Sequence, residues 1–147
     1  MELVNCNKKY WEFVRSMRTH NKNQPNFLQT INITPKEQEI FMANNSYKYK
    51  ICLLDEEPVG YIGLLDGFKE NTLCGSGEIT YCVDPNHTGK GIATFMTMEV
   101  INAGSDDIWG ECKQENIATQ IVLKKCGFII DFNKKRNVFY KNTKNKS

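Results

Sequence analysis

Residues 79–100 read ITYCVDPNHTGKGIATFMTMEV. The first five, Ile79 to Val83, have the apolar, β-rich character of a strand, and Asp84-Pro85 closes it. From Ile92 onward the period changes: Ile92, Phe95, Met96 and Val100 fall on one face of a helix. Gly89 and Gly91 therefore sit where a strand hands over to a helix. Uncrowded backbone amides at a helix N-terminus attract an anion, and Lys90 adds charge. Two familiar phosphate loops fail on inspection. A Walker loop needs Ser or Thr after Gly-Lys, and Gly91 stands there. A dinucleotide fingerprint needs a third glycine, and Thr94 stands there. By itself the loop is a phosphate cradle or a plain turn.

The flanking elements narrow the choice. Upstream, 47–54 and 59–65 read as strands joined by a tight turn at Asp55-Glu-Glu-Pro58, an antiparallel hairpin. A further strand spans 78–83. Earlier still, 2–6 reads as a short strand. Tyr10, Phe13, Val14 and Met17 mark one buried face of a first helix, and Thr19 to Pro25 reads as a loop. Thr34, Pro35 and Glu37 form a capping box that opens a second helix, with Ile40, Phe41 and Met42 as its apolar side. Downstream, 107–112 reads as a strand. A short helix over 116–125 ends at Gly127, a left-handed cap. Two strands, 128–132 and 138–140, close the chain. The order β-α-α-β-β-β-α-β-α-β-β predicts a mixed sheet with helices on its faces.

Composition sets the limits. A chain of 147 residues suits one domain spanning 1–147, and 40 % hydrophobic with 11 % aromatic residues is enough for a core. The net charge of +2 gives no basis for a nucleic-acid binder. Lys134, Lys135, Arg136, Lys141, Lys144 and Lys146 crowd the end, which predicts a basic, solvated tail from about residue 141. None of the six cysteines forms a C-x-x-C pair and neither histidine lies near one, so no metal site is expected. Free cysteines among apolar residues suit a reducing cytoplasm. The longest apolar run, Val59 to Leu65, is too short to span a bilayer, and the amino terminus has no apolar leader-like stretch.

Two blocks in this order carry a resemblance. Val83-Asp-Pro-Asn-His-Thr-Gly-Lys-Gly-Ile-Ala93 resembles the acetyl-CoA signature of the GNAT superfamily of N-acetyltransferases. Asn116-Ile-Ala-Thr-Gln-Ile-Val-Leu-Lys-Lys-Cys-Gly-Phe128 is similar to that family's next motif. The resemblance implies an α/β fold with a mainly antiparallel central sheet of about seven strands and helices on both faces. It implies acetyl-CoA as co-substrate and a primary amine as acceptor. The backbone of Tyr81, Cys82 and Val83 would face the pantetheine arm, and the amides of His87, Thr88, Gly89, Lys90, Gly91, Ile92 and Ala93 the pyrophosphate. Asn116 would touch the cofactor at the start of the last helix. Three positions depart from the family pattern. Asn86 replaces the usual Arg or Gln, Thr119 the common serine, and Leu123 the tyrosine that protonates the departing thiolate. The V-L pattern around Leu123 is similar to the branch that acetylates ribosomal-protein N-termini and some related small amines, and Trp11-Glu-Phe-Val-Arg-Ser-Met-Arg18 and Ile33-Thr-Pro-Lys-Glu37 resemble that branch and nucleotide-sugar amine acetylases.

Under that resemblance Glu78 is the candidate general base, since a protonated amine must lose a proton before it attacks a thioester. A strand amide near Cys82 or Val83 would hold the oxyanion. Tyr81 and Cys112 are alternative acids, though packing accounts for both. Arg15 and Arg18, three apart on one helix face, would grip an anionic group of the acceptor. Trp11 and Trp109 read as core. The implied activity is acetyl transfer to a small-molecule amine, an amino sugar or nucleotide sugar. The alternatives are a protein N-terminal or lysine acetyltransferase and a CoA-binding module without turnover. Acetyl-CoA and the acceptor are the expected partners, with a homodimer left open.

Overall fold

The sheet grows from one hairpin. In the computed structural model, which describes residues 1–27, 32–131 and 137–142, Asp55 and Glu56 reverse the chain with φ of 51° and 68°. Positive φ at both central residues gives a two-residue turn whose twist matches the strands it joins. Those strands are β2 (Tyr49–Leu54) and β3 (Glu57–Leu64). The turn is tighter than the four residues expected: Pro58 lies inside β3, opposite Leu53, where the register shifts after Cys52. An irregularity in the ladder tolerates a residue that cannot donate. Because Glu56 pays the left-handed penalty of a side-chain-bearing residue, Glu56→Gly is expected to stabilise the fold by about 0.5–1 kcal/mol. A rise in the urea midpoint at unchanged slope reads it.

Outward from the hairpin, β1 (Glu2–Asn5) pairs antiparallel with β2, and β4 (Gly77–Val83) pairs antiparallel with β3. β5 (Ile108–Lys113) lies parallel to β4. The last two strands, β6 (Phe128–Asp131) and β7 (Asn137–Asn142), form an antiparallel pair. β7 inserts between β5 and β6, so the seven-stranded sheet runs β1-β2-β3-β4-β5-β7-β6. This is the mixed, mainly antiparallel sheet expected. Its one parallel step needs a crossover, which α3 (Ile92–Asn102) provides.

Helices cover both faces. α1 (Trp11–Thr19) and α2 (Pro35–Asn45) lie on one; α3 and α4 (Ile117–Lys125) lie on the other. Two cores result. Val14, Met17, Met42, Ile51, Tyr61 and Cys82 pack under α1 and α2. Ile62, Ile79, Met96, Val100, Ile108, Leu123 and others pack under α3 and α4. The capping box at Thr34 and Glu37 is formed, but the face of α2 differs from the expected one. Gln38 and Met42 are buried, while Ile40 and Phe41 are exposed. Gln38 turns inward because its Nε2 donates to the Trp11 carbonyl at 3.0 Å, tying α2 to α1.

Boundaries shift by small amounts. β1 stops at Asn5, whose carbonyl accepts from Asn7 N at 2.8 Å, and Ser46–Lys48 form a 3-10 turn before β2. Strand β7 runs through Asn142, past the expected start of the tail, and residues 143–147 lie outside the described residues. Among the described residues no helix is long and apolar enough to cross a membrane.

Candidate active site

β4 and β5 pair over two positions only, Gly77 with Ile108 and Glu78 with Trp109. Beyond them β4 stays on β3 while β5 stays on β7, from Trp109 opposite Lys141 to Lys113 opposite Asn137. The two strands therefore part, and a wedge opens in the middle of the sheet. Gly110 sits just above the apex. A Cβ there would lie 3.1 Å from Ile79 Cγ2 and 3.6 Å from Leu123 Cδ1, so glycine is what lets these side chains close the floor. Residues from both strands, α3 and α4 line the resulting cavity of about 720 Å³.

Hydrogen-bond parity decides what β4 offers to the wedge. Leu65 N donates to Glu78 O at 2.9 Å, and Asp84 N to Val59 O at 2.8 Å. In an antiparallel ladder the residues between these two alternate. Glu78, Thr80 and Cys82 thus turn their main-chain groups to β3. Ile79, Tyr81 and Val83 turn theirs to the open side. Gly77 N, of the same parity, donates to Asp107 O at 2.9 Å across the wedge's closed end. The expectation that Tyr81, Cys82 and Val83 all present backbone groups is corrected at Cys82. Its main chain is committed to β3, and its side chain packs beneath α1.

The glycine loop follows directly. Asp84 organises its start: the carboxylate accepts from Asn86 N at 3.0 Å and the carbonyl from His87 N at 2.8 Å. The His87 amide is therefore spent, although its side chain lines the cavity, with Nδ1 3.4 Å from Asp84 Oδ2. Gly89 (φ 78°) and Gly91 (φ 75°) are left-handed, and Gly91 caps α3. Phe95 N to Gly91 O, at 2.9 Å, is the first bond of that helix. The amides from Gly89 to Thr94 donate to nothing else in the described chain, so they stand as open donors at the N-terminal end of α3, an arrangement that suits an anion. Thr88, Gly89, Gly91, Ile92 and Ala93 line the cavity, whereas Lys90 is exposed and outside the lining. Across the wedge Asn116 also lines the cavity and caps α4, accepting from Thr119 N at 3.2 Å.

Side-chain parity splits the wedge into two faces. Ile79, Tyr81 and Val83 join the core under α3 and α4. Glu78, Thr80 and Cys82 face α1, where Arg18, Asn23 and Phe27 complete the lining. Glu78 is half-buried at the apex. Its carboxyl is raised above the ordinary glutamate range by burial first, and second by the charge of Glu111. Glu111 and Asn23 were not anticipated from the sequence. Glu111 shares the face of Trp109 on β5, and Asn23 is fixed by Nδ2 donating to Met17 O at 2.9 Å. Tyr81 is pushed up to about 12 by burial; Thr119 faces it, outside hydrogen-bond geometry. The expected arginine pair does not form. Arg15 is bound to Glu12 through Nε and donates from Nη1 to Ile33 O at 3.0 Å, away from the cavity. Arg18 alone of the two lines it, and it forms no ion pair among the described residues.

A wedge that exposes strand amides beside open donors at a helix end suits a long ligand with a phosphate-bearing end, and CoA has that shape. The matches agree. The structure is similar to a ribosomal-protein-alanine N-acetyltransferase from Brucella melitensis, with a TM-score of 0.76, 14 % identity, and 97 % of this chain and 99 % of that one covered. It is similar to a spermidine N-acetyltransferase from Vibrio cholerae in complex with CoA and spermine (0.76, 13 %, 95 % and 92 %). It is also similar to a GNAT-family acetyltransferase from Bacillus anthracis (0.72, 18 %, 95 % and 90 %). No curated protein matches the chain. The family model described as an acetyltransferase (GNAT) domain matches residues 2–129. The chain thus belongs to the GNAT acetyltransferase family, and acetyl-CoA is its acetyl donor.

Proposed function

We propose that the chain acetylates the primary amine of a small molecule that also bears an anionic group, of the amino-sugar or nucleotide-sugar class, by direct attack in a ternary complex. Arg18 carries this reading. It sits on the acceptor side of the wedge with no acidic partner among the described residues. A guanidinium there is matched by a phosphate or carboxylate of the acceptor.

The residues divide the work. Acetyl-CoA supplies the acetyl group as an activated thioester. The amides of Gly89 to Thr94 hold the pyrophosphate. The open main-chain groups of Ile79, Tyr81 and Val83 take the pantetheine amides. The N–H groups of Tyr81 and Val83 point where negative charge develops on the carbonyl oxygen, a better placement than Cys82 N, which is turned to β3. Glu78, on the acceptor face, accepts the amine's proton directly or through one water. A primary amine has a pKa of about 10 and arrives mostly protonated. The carboxylate's raised pKa moves Glu78 toward the range where a base is effective.

A protein amino terminus is the second reading. The V-L pattern at Leu123 and the stated activity of the Brucella structure support it. One assay separates the two: release of CoA thiol from acetyl-CoA with mass spectrometry on pooled amino sugars, nucleotide amino sugars, polyamines, aminoglycosides and peptides. Acetyl gain in the sugar pools is expected; gain confined to peptides or polyamines overturns the lead. In the same assay Arg18→Ala is expected to raise the acceptor KM about tenfold or more, the worth of a charge-assisted bond. It should leave kcat and the KM for acetyl-CoA in place.

A further inference from the structure

The chain has two histidines. His20 is occupied in a turn, where its Nδ1 accepts from Lys22 N at 3.0 Å. His87 is placed differently. Its ring lines the cavity, and its enclosed Nδ1 lies 3.4 Å from Asp84 Oδ2, a close approach outside hydrogen-bond geometry. That carboxylate is fixed, because its other oxygen, Oδ1, accepts from Asn86 N at 3.0 Å. Nε2, on the far side of the ring, is not enclosed and bonds to nothing among the described residues. A carboxylate held against one ring nitrogen draws a proton to it, so the other nitrogen is left for a partner from outside.

Place and chemistry name that partner. The amides from Gly89 to Thr94, just beyond His87, are open donors. Asn86 and Lys90 are exposed and outside the lining, so His87 is the only ionisable side chain of residues 86–91 that lines the cavity. A ring protonated at Nδ1 alone offers Nε2 as an acceptor; with a second proton Nε2 becomes a donor. A diphosphate only accepts, so it selects the doubly protonated ring, whose charge Asp84 balances from behind. We infer that His87 binds the diphosphate of CoA through its Nε2–H, backed by Asp84 at Nδ1, and that the cofactor therefore draws a proton from solvent onto the ring.

The histidine supplies a charge that the loop's own pattern lacks, since Asn86 stands where the family resemblance places an Arg or Gln. Asp84 is the one carboxylate paired with the ring among the described residues. The other charges around the cavity come from different elements: Arg18 from α1, Lys125 from α4, Glu78 from β4 and Glu111 from β5. Burial keeps Tyr81 and Cys82, both pushed up to about 12, and Cys112, pushed up to about 11, in their neutral forms. The two glutamates are therefore the other groups that could take a proton when an anion arrives. The inference rests on the family's use of acetyl-CoA and is independent of the acceptor.

Calorimetry with dephospho-CoA in two buffers of different ionisation enthalpy tests it without turnover. That ligand keeps the diphosphate and lacks the 3′-phosphate, which itself titrates near neutrality. The wild type should take up about half a proton or more per ligand at pH 7, and its affinity should weaken about tenfold from pH 6 to pH 8. Pantetheine, which has no diphosphate, should bind without proton uptake, a comparison that needs no variant. In His87→Gln the uptake and the pH dependence should vanish, and the Kd for dephospho-CoA at pH 6 should rise about tenfold, as for loss of a charge-assisted bond. Pantetheine should bind that variant as it binds the wild type. Three results overturn the assignment: no uptake with dephospho-CoA, uptake that persists in His87→Gln and so belongs to Glu78 or Glu111, or a variant that loses pantetheine as it loses dephospho-CoA.

Discussion

Glu78→Gln is expected to lower kcat by about a hundredfold, within the usual range for loss of a general base, while acetyl-CoA binds as before. Affinity should survive because Glu78 faces α1, whereas the groups proposed to hold the cofactor are the main chain of Ile79, Tyr81 and Val83 and the loop amides. The pH dependence separates a base from a positioning group. Burial and Glu111 raise the Glu78 pKa above its ordinary value. Wild-type activity should therefore fall as pH drops through that raised value, and the variant should lose this acid limb. Its deficit should narrow as pH approaches the amine's own pKa of about 10, where free amine needs no base. A deficit equal at all pH values would assign Glu78 to holding the acceptor. Stability gives an independent readout. A carboxyl with a raised folded pKa binds its proton more tightly when folded, so its stabilisation is present below the unfolded value and is lost as pH rises through the folded one. Glu78→Gln should then raise Tm at neutral pH and leave it unchanged at acid pH. A gain in stability with a loss in rate is the signature of a site residue held at a cost to the fold.

What the sequence disclosed about this site was local, and what it hid was register. The capping box at Thr34, the Gly127 cap and the helix start at Gly91 are written in neighbouring residues, and each formed. The α2 face was misjudged because Ile40, Phe41 and Met42 are consecutive and define no period. The Trp11 carbonyl, 27 positions away, draws in Gln38 instead. Arg15 and Arg18 do share a helix face, but Glu12 lies one turn before Arg15 and captures it, a competition that three-residue spacing made visible. Glu111 could not be found locally. Its place beside Glu78 depends on the two parallel pairs that join β4 to β5, a contact between segments separated by all of α3. Cys82 shows the same limit: whether its amide faces the wedge or β3 is a matter of parity with Leu65 and Val59. Motifs name the ligand, and long-range pairing decides which atoms meet it.

The glycine loop gives the second large effect. Gly89→Ala and Gly91→Ala are each expected to raise the Kd for CoA at least tenfold. Both residues have positive φ and line the cavity, and a Cβ at either would enter open space. In the free protein that Cβ meets nothing, so the fold bears only the left-handed backbone penalty of about 1 kcal/mol. With CoA bound, the same space is where a pyrophosphate must approach the amides of Gly89 to Thr94, and a methyl group there lengthens several charge-assisted bonds at once. Gly104→Ala supplies the control. Gly104 has φ of 86° and equally open surroundings, so its backbone penalty is alike. It lies beyond the far end of the 11-residue α3 and does not line the cavity. Gly104→Ala should lower Tm by a similar amount and leave CoA affinity intact. Pantetheine, which lacks the pyrophosphate, should bind the wild type and both loop variants equally. If pantetheine weakens as CoA does, the loop acts by shaping the wedge and not by holding phosphate. If CoA binding is unchanged, the amides of this helix end are not where its charge rests.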